Sequence, residues 1–527
     1  MAEARNQQIS DQGWCPIGSP GIVAIAVMLA TFMEVLDSTV VNVSLPQIAG
    51  NLSATIDEST WVLTSYLVSN AVILPATGWF SSVFGRKRFY MFCVSAFTVS
   101  SVLCGLAPSL HWLVFLRVVQ GLGGGALQPI SQAILLECFP VRRRGIGMAI
   151  FGIGVVFAPI IGPTLGGWIT DNYSWRWIFY INIPIGALAL LMSHVYVADP
   201  PYLQRGVGKV DYIGLGLLAL GIGALQVVLD NGQRYDWFET SWITQLSVLS
   251  AASLVALVIW ESRVTHPIVD LSVFRFRNFG EGALLIFMLG VALYGSLVLL
   301  PIFLQNLLGY NATLSGLAMS PGGIGTLVFM PVVGLLVSKR DARYLIIFGL
   351  VMLSLSLFMM AQYNLQITFW HAVWPRVVMG IGLAFLFVPI TTAAFAFTPL
   401  EKTGAATGIF NLMRNIGGSF GIAMVTTVLA RRAQFHQYRL VEHVTPYDFN
   451  AQQALQGAVA KLVQLGQGAY DSQMKSVGII YQSVLKQATL LSFIDCFWLL
   501  GVAMIVLVPV VFLMKKPPRH APAAGGH

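Results

Sequence analysis

The chain has 527 residues, of which 56% are hydrophobic and only 10% are charged, and its formal net charge is +8. A soluble domain typically carries about 25% charged residues, so this chain has too few ionisable groups to cover a water-exposed surface. The composition therefore excludes a set of soluble domains and favours a protein whose surroundings are mostly lipid.

Apolar stretches of membrane-spanning length recur along the chain. Each is about 20 residues or longer, which is enough to cross a hydrocarbon core about 30 Å thick. The sequence does not show the alternating segments of about ten residues that are typical of a membrane β-barrel. We predict an all-α membrane protein with 14 transmembrane helices, at approximately 21–45, 59–83, 88–107, 111–137, 144–170, 176–197, 211–230, 241–261, 279–306, 312–338, 343–362, 370–398, 404–430 and 488–514.

Lysine and arginine are distributed unevenly between alternate loops. If the N terminus is cytoplasmic, the inside segments hold 19 of the 30 basic residues, whereas the short outside loops hold only Arg176 and Arg234. Basic residues concentrate in short cytoplasmic loops, so we predict that both termini are cytoplasmic. Their scatter over many loops also argues against a nucleic-acid-binding patch.

Motifs for energy-rich cofactors and metals are not found in the sequence. It lacks a G-x-x-x-x-G-K-[ST] phosphate loop, which argues against ATP hydrolysis by this chain. Gly121 to Ala126 fit the G-x-G-x-x-A dinucleotide pattern, but they lie inside a hydrophobic helix with no strand before it. Gly121 and Gly125 instead form G-x-x-x-G, which lets two membrane helices approach closely. We predict no cofactor, metal, disulfide or enzymatic activity.

An internal repeat has an offset of 259 residues. Arg117 recurs as Arg376, and the glycines at 121, 123, 145 and 162 recur at 380, 382, 404 and 421. Two similarly oriented bundles with a substrate site near the midplane are typical of transporters. We predict a cytoplasmic tail, a six-helix bundle, a linker with two extra helices, a second six-helix bundle and a second cytoplasmic tail, over 1–20, 21–197, 198–278, 279–514 and 515–527.

Four motifs resemble those of one transporter family. The run from Gly78 to Arg88 is similar to the loop signature between helices 2 and 3, although Ser82 stands where an acid is usual. Leu113 to Gly125 resembles a helix-4 motif linked to proton coupling. Ala158 to Gly167 resembles an antiporter motif on helix 5. The fourth match is made by Leu36 to Thr39 with Asn42 and Val43, and by Trp175 to Phe179 with Asn182 and Pro184.

Together these motifs resemble the major facilitator superfamily, specifically the fourteen-helix drug:proton antiporters of the EmrB/QacA type. The resemblance implies a proton-coupled multidrug efflux antiporter of a bacterial inner membrane that exports hydrophobic toxic compounds. It also implies a periplasmic membrane-fusion protein of the EmrA kind and an outer-membrane channel as partners. Alternatives are a narrower fatty-acid or single-antibiotic exporter, and a transport-inactive membrane receptor or scaffold.

Buried carboxylates are the clearest chemical signal. Glu34 and Asp37 lie three residues apart, which places them on one face of helix 1. A carboxylate in hydrocarbon costs about 2.5 kcal/mol or more, so it indicates a partner or a water-filled pathway. Because the two acids repel each other and burial opposes ionisation, we predict that at least one of them is protonated near neutral pH. Such a pair can take up a proton on one side and release it on the other, with Arg117 as the countercharge. The alternative is a static ion pair that holds the bundle.

Other candidate residues follow from polarity, and from family motifs. We predict that a substrate cavity is lined by Asn42, Gln128, Asn411, Arg414 and Asp495. We expect Glu137 and Glu281, near cytoplasmic helix ends, to be solvated. The loop-motif residues Gly78, Gly85, Arg86 and Lys87 have either a gating role or a role in orientation and lipid contact.

Helix 5 and the last loop complete the predictions. Pro159 and Pro163 each remove a helix hydrogen bond, whereas Gly162, Gly166 and Gly167 remove side chains, so this helix can bend and slide against a neighbour. The alternative is plain tight packing. The polar segment 431–487 is an outside hairpin with a helix over Gln452 to Leu465, and we predict that it docks the partner protein. The alternative is a lid over the exit.

Overall fold

A computed structural model describes residues 19–140, 143–200, 211–264, 267–442, 444–445 and 447–516. Thirteen of its helices are long and apolar enough to cross a membrane, or 14 if a bent pair counts as one span. The predicted all-α membrane fold is thus confirmed. The predicted tails at 1–20 and 515–527 lie almost wholly outside the described residues, as do Cys15, Arg205 and Lys209.

The spanning helices follow the predicted order. The N-terminal bundle comprises α1 Pro20–Asn51, α2 Trp61–Phe84, α3 Arg86–Gly105, α4 Leu110–Cys138, α5 Arg144–Asn172 and α6 Trp177–Tyr196. Two inserted helices follow, α7 Tyr212–Asn231 and α8 Ser241–Glu261. The C-terminal bundle comprises α9 Arg277–Asn306, α10 Ala312–Leu336, α11 Ala342–Met360, α12 Phe369–Ala394, α13 Thr403–Val441 and α14 Ala469–Ile505.

Because successive helices cross in opposite directions, the connections fall on two sides. One side contains Gly85 and the α10–α11 and α12–α13 connections, and we term it the loop-motif side. The other contains the connection between α13 and α14, and we term it the hairpin side. The helix α4 is interrupted at Gly125 and Ala126, so its two halves run over Leu110–Gly124 and Leu127–Cys138.

The two bundles pack alike at the repeated glycines. A Cβ atom on Gly121 would lie 2.5 Å from the carbonyl oxygen of Tyr66 on α2. A Cβ atom on Gly380 would lie 2.0 Å from the carbonyl oxygen of Gly322 on α10. Since both contacts leave no room for a side chain, the glycines serve close helix packing, as the G-x-x-x-G interpretation predicted.

The bundles meet directly on the loop-motif side. A Cβ atom on Gly78 of α2 would lie 2.6 Å from the amide nitrogen of Ala405 on α13. At the pseudo-equivalent contact, a Cβ atom on Gly145 of α5 would lie 2.6 Å from the carbonyl oxygen of Gly334 on α10. These backbone contacts close the space between the bundles at this side.

The proline-containing helix α5 is bent. Its segments Arg144–Pro159 and Ile161–Asn172 meet at 42°, consistent with the hydrogen bonds that Pro159 and Pro163 remove. Gly162 packs against α1, because its Cβ would lie 1.9 Å from Thr39 Oγ1. Gly166 also packs against α1, but Gly167 has only Val43 within reach, at 3.9 Å, so a side chain would fit there.

The segment between α13 and α14 is mostly helical. The helix α13 continues to Val441 and α14 begins at Ala469, so both helices extend beyond the predicted limits of the apolar spans at 430 and 488. The apolar pattern ends near these limits, but the helices continue through the polar residues that follow. The predicted helix within this segment is confirmed as Phe449–Gln464, which packs against α14. His443 and Pro446 lie outside the described residues.

Candidate proton-coupling site and bundle interface

Asp37 on α1 and Arg117 on α4 form a fully buried ion pair. The Nη1 atom of Arg117 donates to Asp37 Oδ2 at 2.5 Å, and both side chains are 0% exposed. The other carboxylate oxygen accepts from Gln120 Nε2 at 3.2 Å and from Asn182 Nδ2 at 2.8 Å. Every partner belongs to the N-terminal bundle, so the charge of Asp37 is compensated within that bundle.

The guanidinium of Arg117 is held by several further contacts. Its Nε donates to the carbonyl oxygen of Val62 at 3.1 Å, and its Nη1 donates to Gln120 Oε1 at 2.8 Å. Its Cζ lies 4.1 Å from the centre of the Tyr66 ring, which is a cation–π geometry. The arginine therefore has a defined position between α1, α2 and α4.

Glu34 lies in a different network, one helical turn before Asp37. Its Oε1 accepts from Tyr66 Oη and Asn70 Nδ2, each at 3.0 Å, and its Oε2 accepts from Gln128 Nε2 at 2.5 Å. The two carboxylates thus share no hydrogen-bond partner, contrary to the mutual pair that their spacing suggested. Tyr66 links them indirectly, since its hydroxyl contacts Glu34 and its ring contacts Arg117.

Polar side chains connect this network to the C-terminal bundle. Arg414 on α13 donates from Nη2 to Gln128 Oε1. Asn415 donates to Asn70 Oδ1 at 3.4 Å, and Asn411 donates to Gln132 Oε1 at 2.6 Å. We term these three cross-bundle hydrogen bonds the polar seam. The structure therefore brings together Glu34 and three of the predicted polar residues, Gln128, Asn411 and Arg414.

Two of the predicted cavity residues lie elsewhere. Asn42 is exposed on α1, one to two turns beyond Asp37. Asp495 on α14 accepts from Arg432 Nε at 2.5 Å and from His436 Nε2 at 2.7 Å, both on the hairpin-side half of α13. Asp495 therefore joins α13 to α14 and takes no part in the polar seam.

The loop motif is organised around a buried ion pair. Gly85 has a φ of +84°, a left-handed conformation that favours glycine, and it separates α2 from α3. Arg86 donates to Glu137 at the end of α4, and each side chain is only 4% exposed. The expectation that Glu137 is solvated is therefore wrong, because this cation draws the carboxylate into the packed end of the bundle. Glu281 is also mostly buried, with a side chain 13% exposed beside Arg277.

Asp199, after α6, supplies a second acid at this motif. Its Oδ1 accepts from the backbone nitrogen of Lys87 at 2.7 Å, and Lys87 Nζ donates to the carbonyl oxygen of His194. Ser82, where the family usually has an acid, donates instead to the carbonyl oxygen of Trp79 on its own helix at 2.7 Å. The start of α3 is thus anchored by an acid distant in sequence from the motif.

Sequence reasoning missed several members of these networks. Tyr66, Asn70 and Gln132 were not singled out, although each is a polar side chain within an apolar span. Asp230, near the end of α7, was also missed, and it accepts from Gln226 Nε2 at 3.0 Å. Polar residues inside predicted spans were the available signal, since such residues rarely face lipid.

Two repeated six-helix bundles with polar groups buried between them are the architecture of membrane transporters of the inverted- or parallel-repeat kind. The profile of the Major Facilitator Superfamily matches residues 27–422, and the chain belongs to this family. It is therefore a multi-pass membrane protein of a transporter family rather than a family of enzymes.

Individual relatives match nearly the whole chain. The chain is 38% identical over 506 residues to the multidrug export protein EmrB of Escherichia coli (strain K12), covering 96% of this chain and 97% of that protein. It is 37% identical over 508 residues to the fatty acid resistance protein FarB of Neisseria gonorrhoeae, with 96% and 97% covered. The crystal structure of the human organic anion transporter MFSD10 (TETRAN) has a TM-score of 0.59 at 11% identity, covering 93% of this chain and 100% of that chain, a likeness of fold alone.

Proposed function

We propose that this protein is a proton-coupled multidrug efflux antiporter that exports hydrophobic toxic compounds. The near full-length similarity to a multidrug export protein supports the substrate class. The observation that carries the coupling is the burial of two carboxylates of α1, Glu34 and Asp37, in separate hydrogen-bond networks. Burial of a carboxylate at membrane depth is energetically costly, and in transporters such carboxylates commonly transfer protons.

Asp37 is the proposed proton carrier. Protonation would remove its charge and with it the Coulomb attraction to Arg117. The arginine would then be a buried cation without a counterion, which destabilises this arrangement of the helices. Glu34 is the proposed carboxylate that responds to substrate, because its amide partners Asn70 and Gln128 reach α13. We assign Gln128, Asn411 and Arg414 to the substrate-facing surface that is exposed when the polar seam opens.

The test is proton release by the purified, detergent-solubilised protein upon addition of hydrophobic cationic dyes. The wild type should release protons on dye binding. Glu34→Gln should bind neutral compounds but discriminate less in favour of cationic ones, because the variant keeps the shape of the side chain and loses its charge. Proton release that is the same for wild type and for a variant lacking both acids would contradict the proposal.

A narrower exporter of fatty acids is the second candidate. The similarity to FarB favours it, as does Arg414, which is 2% exposed and has only an amide oxygen as its hydrogen-bond acceptor among the described residues. A carboxylate would be a stronger acceptor for this guanidinium. A panel of dyes and long-chain fatty acids in the same assay separates the two, since a narrow exporter should release protons with the fatty acids only.

The proposed partners are an EmrA-like periplasmic membrane-fusion protein and an outer-membrane channel, with this chain in the bacterial inner membrane and both termini cytoplasmic. The hairpin side supports this proposal, because it exposes aromatic side chains beyond the spans, including Tyr447, Phe449 and Tyr470. Exposed clusters of large apolar residues are characteristic of interaction surfaces. The bundle limits at 21–197 and 279–514 are part of the same proposal.

Deletion of residues 450–475 tests the docking role. The spanning part of each helix, the polar seam and the helix-1 acids lie outside this segment, so exchange of protons for dye in reconstituted vesicles should persist. Resistance in cells should fall sharply, because substrate would no longer pass to the partner. A parallel loss in both assays would indicate a structural lid, and retention in both would contradict the docking role.

A further inference from the structure

Two amide side chains connect Glu34 to the opposite bundle in the same way. Asn70 donates from Nδ2 to Glu34 at 3.0 Å and accepts on Oδ1 from Asn415. Gln128 donates from Nε2 to Glu34 at 2.5 Å and accepts on Oε1 from Arg414. Each amide therefore directs its NH2 group to the carboxylate and its oxygen to α13.

The chemistry of these groups permits only this orientation while Glu34 is ionised. A carboxylate only accepts hydrogen bonds and a guanidinium only donates them, whereas an amide has one end of each kind. If the Gln128 amide were reversed, its oxygen would face the carboxylate and its NH2 group would face the NH groups of Arg414. Ionised Glu34 thus fixes the orientation of the Gln128 amide, whose oxygen is the acceptor for Arg414.

We infer that Asn70 and Gln128 form an amide relay, through which the ionisation of Glu34 controls the contact between the two bundles. The inference rests on the proposed function and deepens it, because it states how a proton on one bundle changes the interface with the other. Asn70 and Gln128 are positioning residues in this scheme.

Protonation of Glu34 reverses the requirement. The proton binds a carboxylate oxygen, and the new O–H group is a donor that needs an acceptor in a buried place. Tyr66 Oη can accept from a proton on Oε1, but a proton on Oε2 faces the Gln128 amide. The remaining acceptors in reach are the oxygens of Asn70 and Gln128, and rotation of either amide toward the O–H turns its NH2 group toward α13. At Gln128 a donor then faces a donor, because Arg414 only donates, and this cross-bundle hydrogen bond is lost. At Asn70 the partner Asn415 is an amide that can reverse, so this link transmits less. The buried groups left without partners favour separation of the helices.

Other charged and titratable groups around Glu34 do not replace this link. Tyr66 on α2 donates to Glu34 but has no partner on α13 among the described residues. Tyr294 on α9 and Arg414 on α13 interact with Glu34 from the opposite bundle, and Arg414 is the cation of the relay. On the same helix, Asp37 is compensated by Arg117 and its partners, all of them within the N-terminal bundle.

The chain offers a matched control. Gln132 lies one turn after Gln128 on α4 and also accepts a hydrogen bond across the seam, from Asn411 at 2.6 Å. It does not contact Glu34 in the described structure. Replacing Gln132 by Met should therefore weaken the seam without removing its dependence on pH, whereas replacing Gln128 by Met should remove a path from Glu34 to α13.

The experiment measures the separation of the bundles on the loop-motif side without substrate or transport. Arg88 and Glu401 are exposed on this side, one from each bundle, and can be replaced by nitroxide-labelled cysteines. The four cysteines within the described residues are buried, and Cys15→Ser removes the fifth. Distance distributions by electron–electron double resonance between pH 5 and pH 9 then give the ratio of closed to open molecules.

In the otherwise unchanged protein, the closed-to-open ratio should fall by about tenfold or more as the pH decreases, the effect of losing one hydrogen bond to a charged group. Gln128→Met should flatten this dependence, Asn70→Leu should weaken it to a smaller extent, and Glu34→Gln should give a more open, pH-independent distribution. Gln132→Met should keep the pH dependence at a lower closed fraction.

A pH dependence that is unchanged in both Gln128→Met and Asn70→Leu would overturn the relay, as would its loss in Gln132→Met. The single variants are measured separately, so that misfolding of one leaves the other decisive. A normal pH response of the distances in a protein that moves no drug would reject the proposed antiport and leave the relay standing. Drug-coupled proton exchange in a protein whose distances do not depend on pH would reject the relay and leave the proposed antiport standing.

Discussion

The two bundles have the same framework but different chemistry at its centre. With the 259-residue offset, Arg117 and Asp37 of the N-terminal bundle correspond to Arg376 and Ser296 of the C-terminal bundle. Both arginines are buried, but Arg117 is paired with a carboxylate whereas Arg376 donates from Nη1 to Met379 Sδ at 3.0 Å. The Nε atom of Arg376 has no hydrogen-bond partner in the described structure.

Met379 in turn corresponds to Gln120, the amide that bridges Asp37 and Arg117. The Ser296 hydroxyl contacts the same sulfur atom, at 3.4 Å. An acid, an amide and an arginine in one bundle are therefore matched by a hydroxyl, a thioether and an arginine in the other. The comparison teaches that the repeated helices preserve packing, whereas the carboxylate at these equivalent positions, Asp37 and Ser296, is present in the N-terminal bundle only.

The largest expected difference between the bundles is in transport. Asp37→Asn should reduce drug-dependent proton movement to the level of protein-free vesicles, because the variant keeps the shape of the side chain and loses its proton. Ser296→Ala, at the equivalent position, should transport at close to the wild-type rate. Both are measured by quenching of a pH-sensitive dye in reconstituted vesicles. Transport by Asp37→Asn at the wild-type rate would show that the two equivalent positions, Asp37 and Ser296, do not differ in proton coupling.

The second difference is in stability. Arg117→Met should lower the free energy of unfolding by about 3–5 kcal/mol, since it leaves the Asp37 carboxylate buried without its cation. Arg376→Met removes a buried cation that has no carboxylate partner among the described residues, so stability should be unchanged or higher. Thermal unfolding in detergent, followed by fluorescence, compares the two. Similar losses for both variants would show that Arg376 has an equally strong partner.

The smallest expected difference concerns the contacts on the loop-motif side. A Cβ atom on Gly145 would meet Val337 Cγ1 at 2.2 Å, whereas the nearest atom to a Cβ on Gly404 is 3.5 Å away on Gly78. Gly145→Ala should therefore open this side by disfavouring the closed contact, at a cost of about 1–3 kcal/mol from overpacking. Gly404→Ala should be close to wild type. The labelled pair at Arg88 and Glu401 measures both, and equal effects would remove this asymmetry.

Much of the fold was accessible from the sequence because it depends on local patterns. Apolar length predicted the spans, the 259-residue offset predicted the paired bundles, and Gly121 with Gly125 predicted close helix packing. The ends of α13 and α14 were missed because helix continues where hydrophobicity stops. Hydropathy reports the thickness of the membrane and carries no information on where a helix ends.

The site was only partly accessible, for a related reason. The three-residue spacing of Glu34 and Asp37 indicated one helix face, but the two side chains meet different residues. Both contact α4, Asp37 at Arg117 and Glu34 at Gln128, one on each side of the interruption at Gly125. Glu137 was expected in water because its own segment ends there, and its cation, Arg86, comes from another helix. Spacing along one helix gives an orientation, whereas the partner across the gap is set by tertiary packing.

The unbroken length of α13 has a mechanical consequence. It has 39 residues, or about 58 Å at about 1.5 Å per residue, nearly twice a hydrocarbon core of about 30 Å. Arg414 lies about 16 Å from the start of this helix and about 40 Å from Val441 at its other end, by the same rise. A tilt of about 10° around Arg414 would displace Val441 by about 7 Å. A rearrangement of α13 at the polar seam would therefore also move its hairpin-side half, and with it α14, which Asp495 joins to Arg432 and His436.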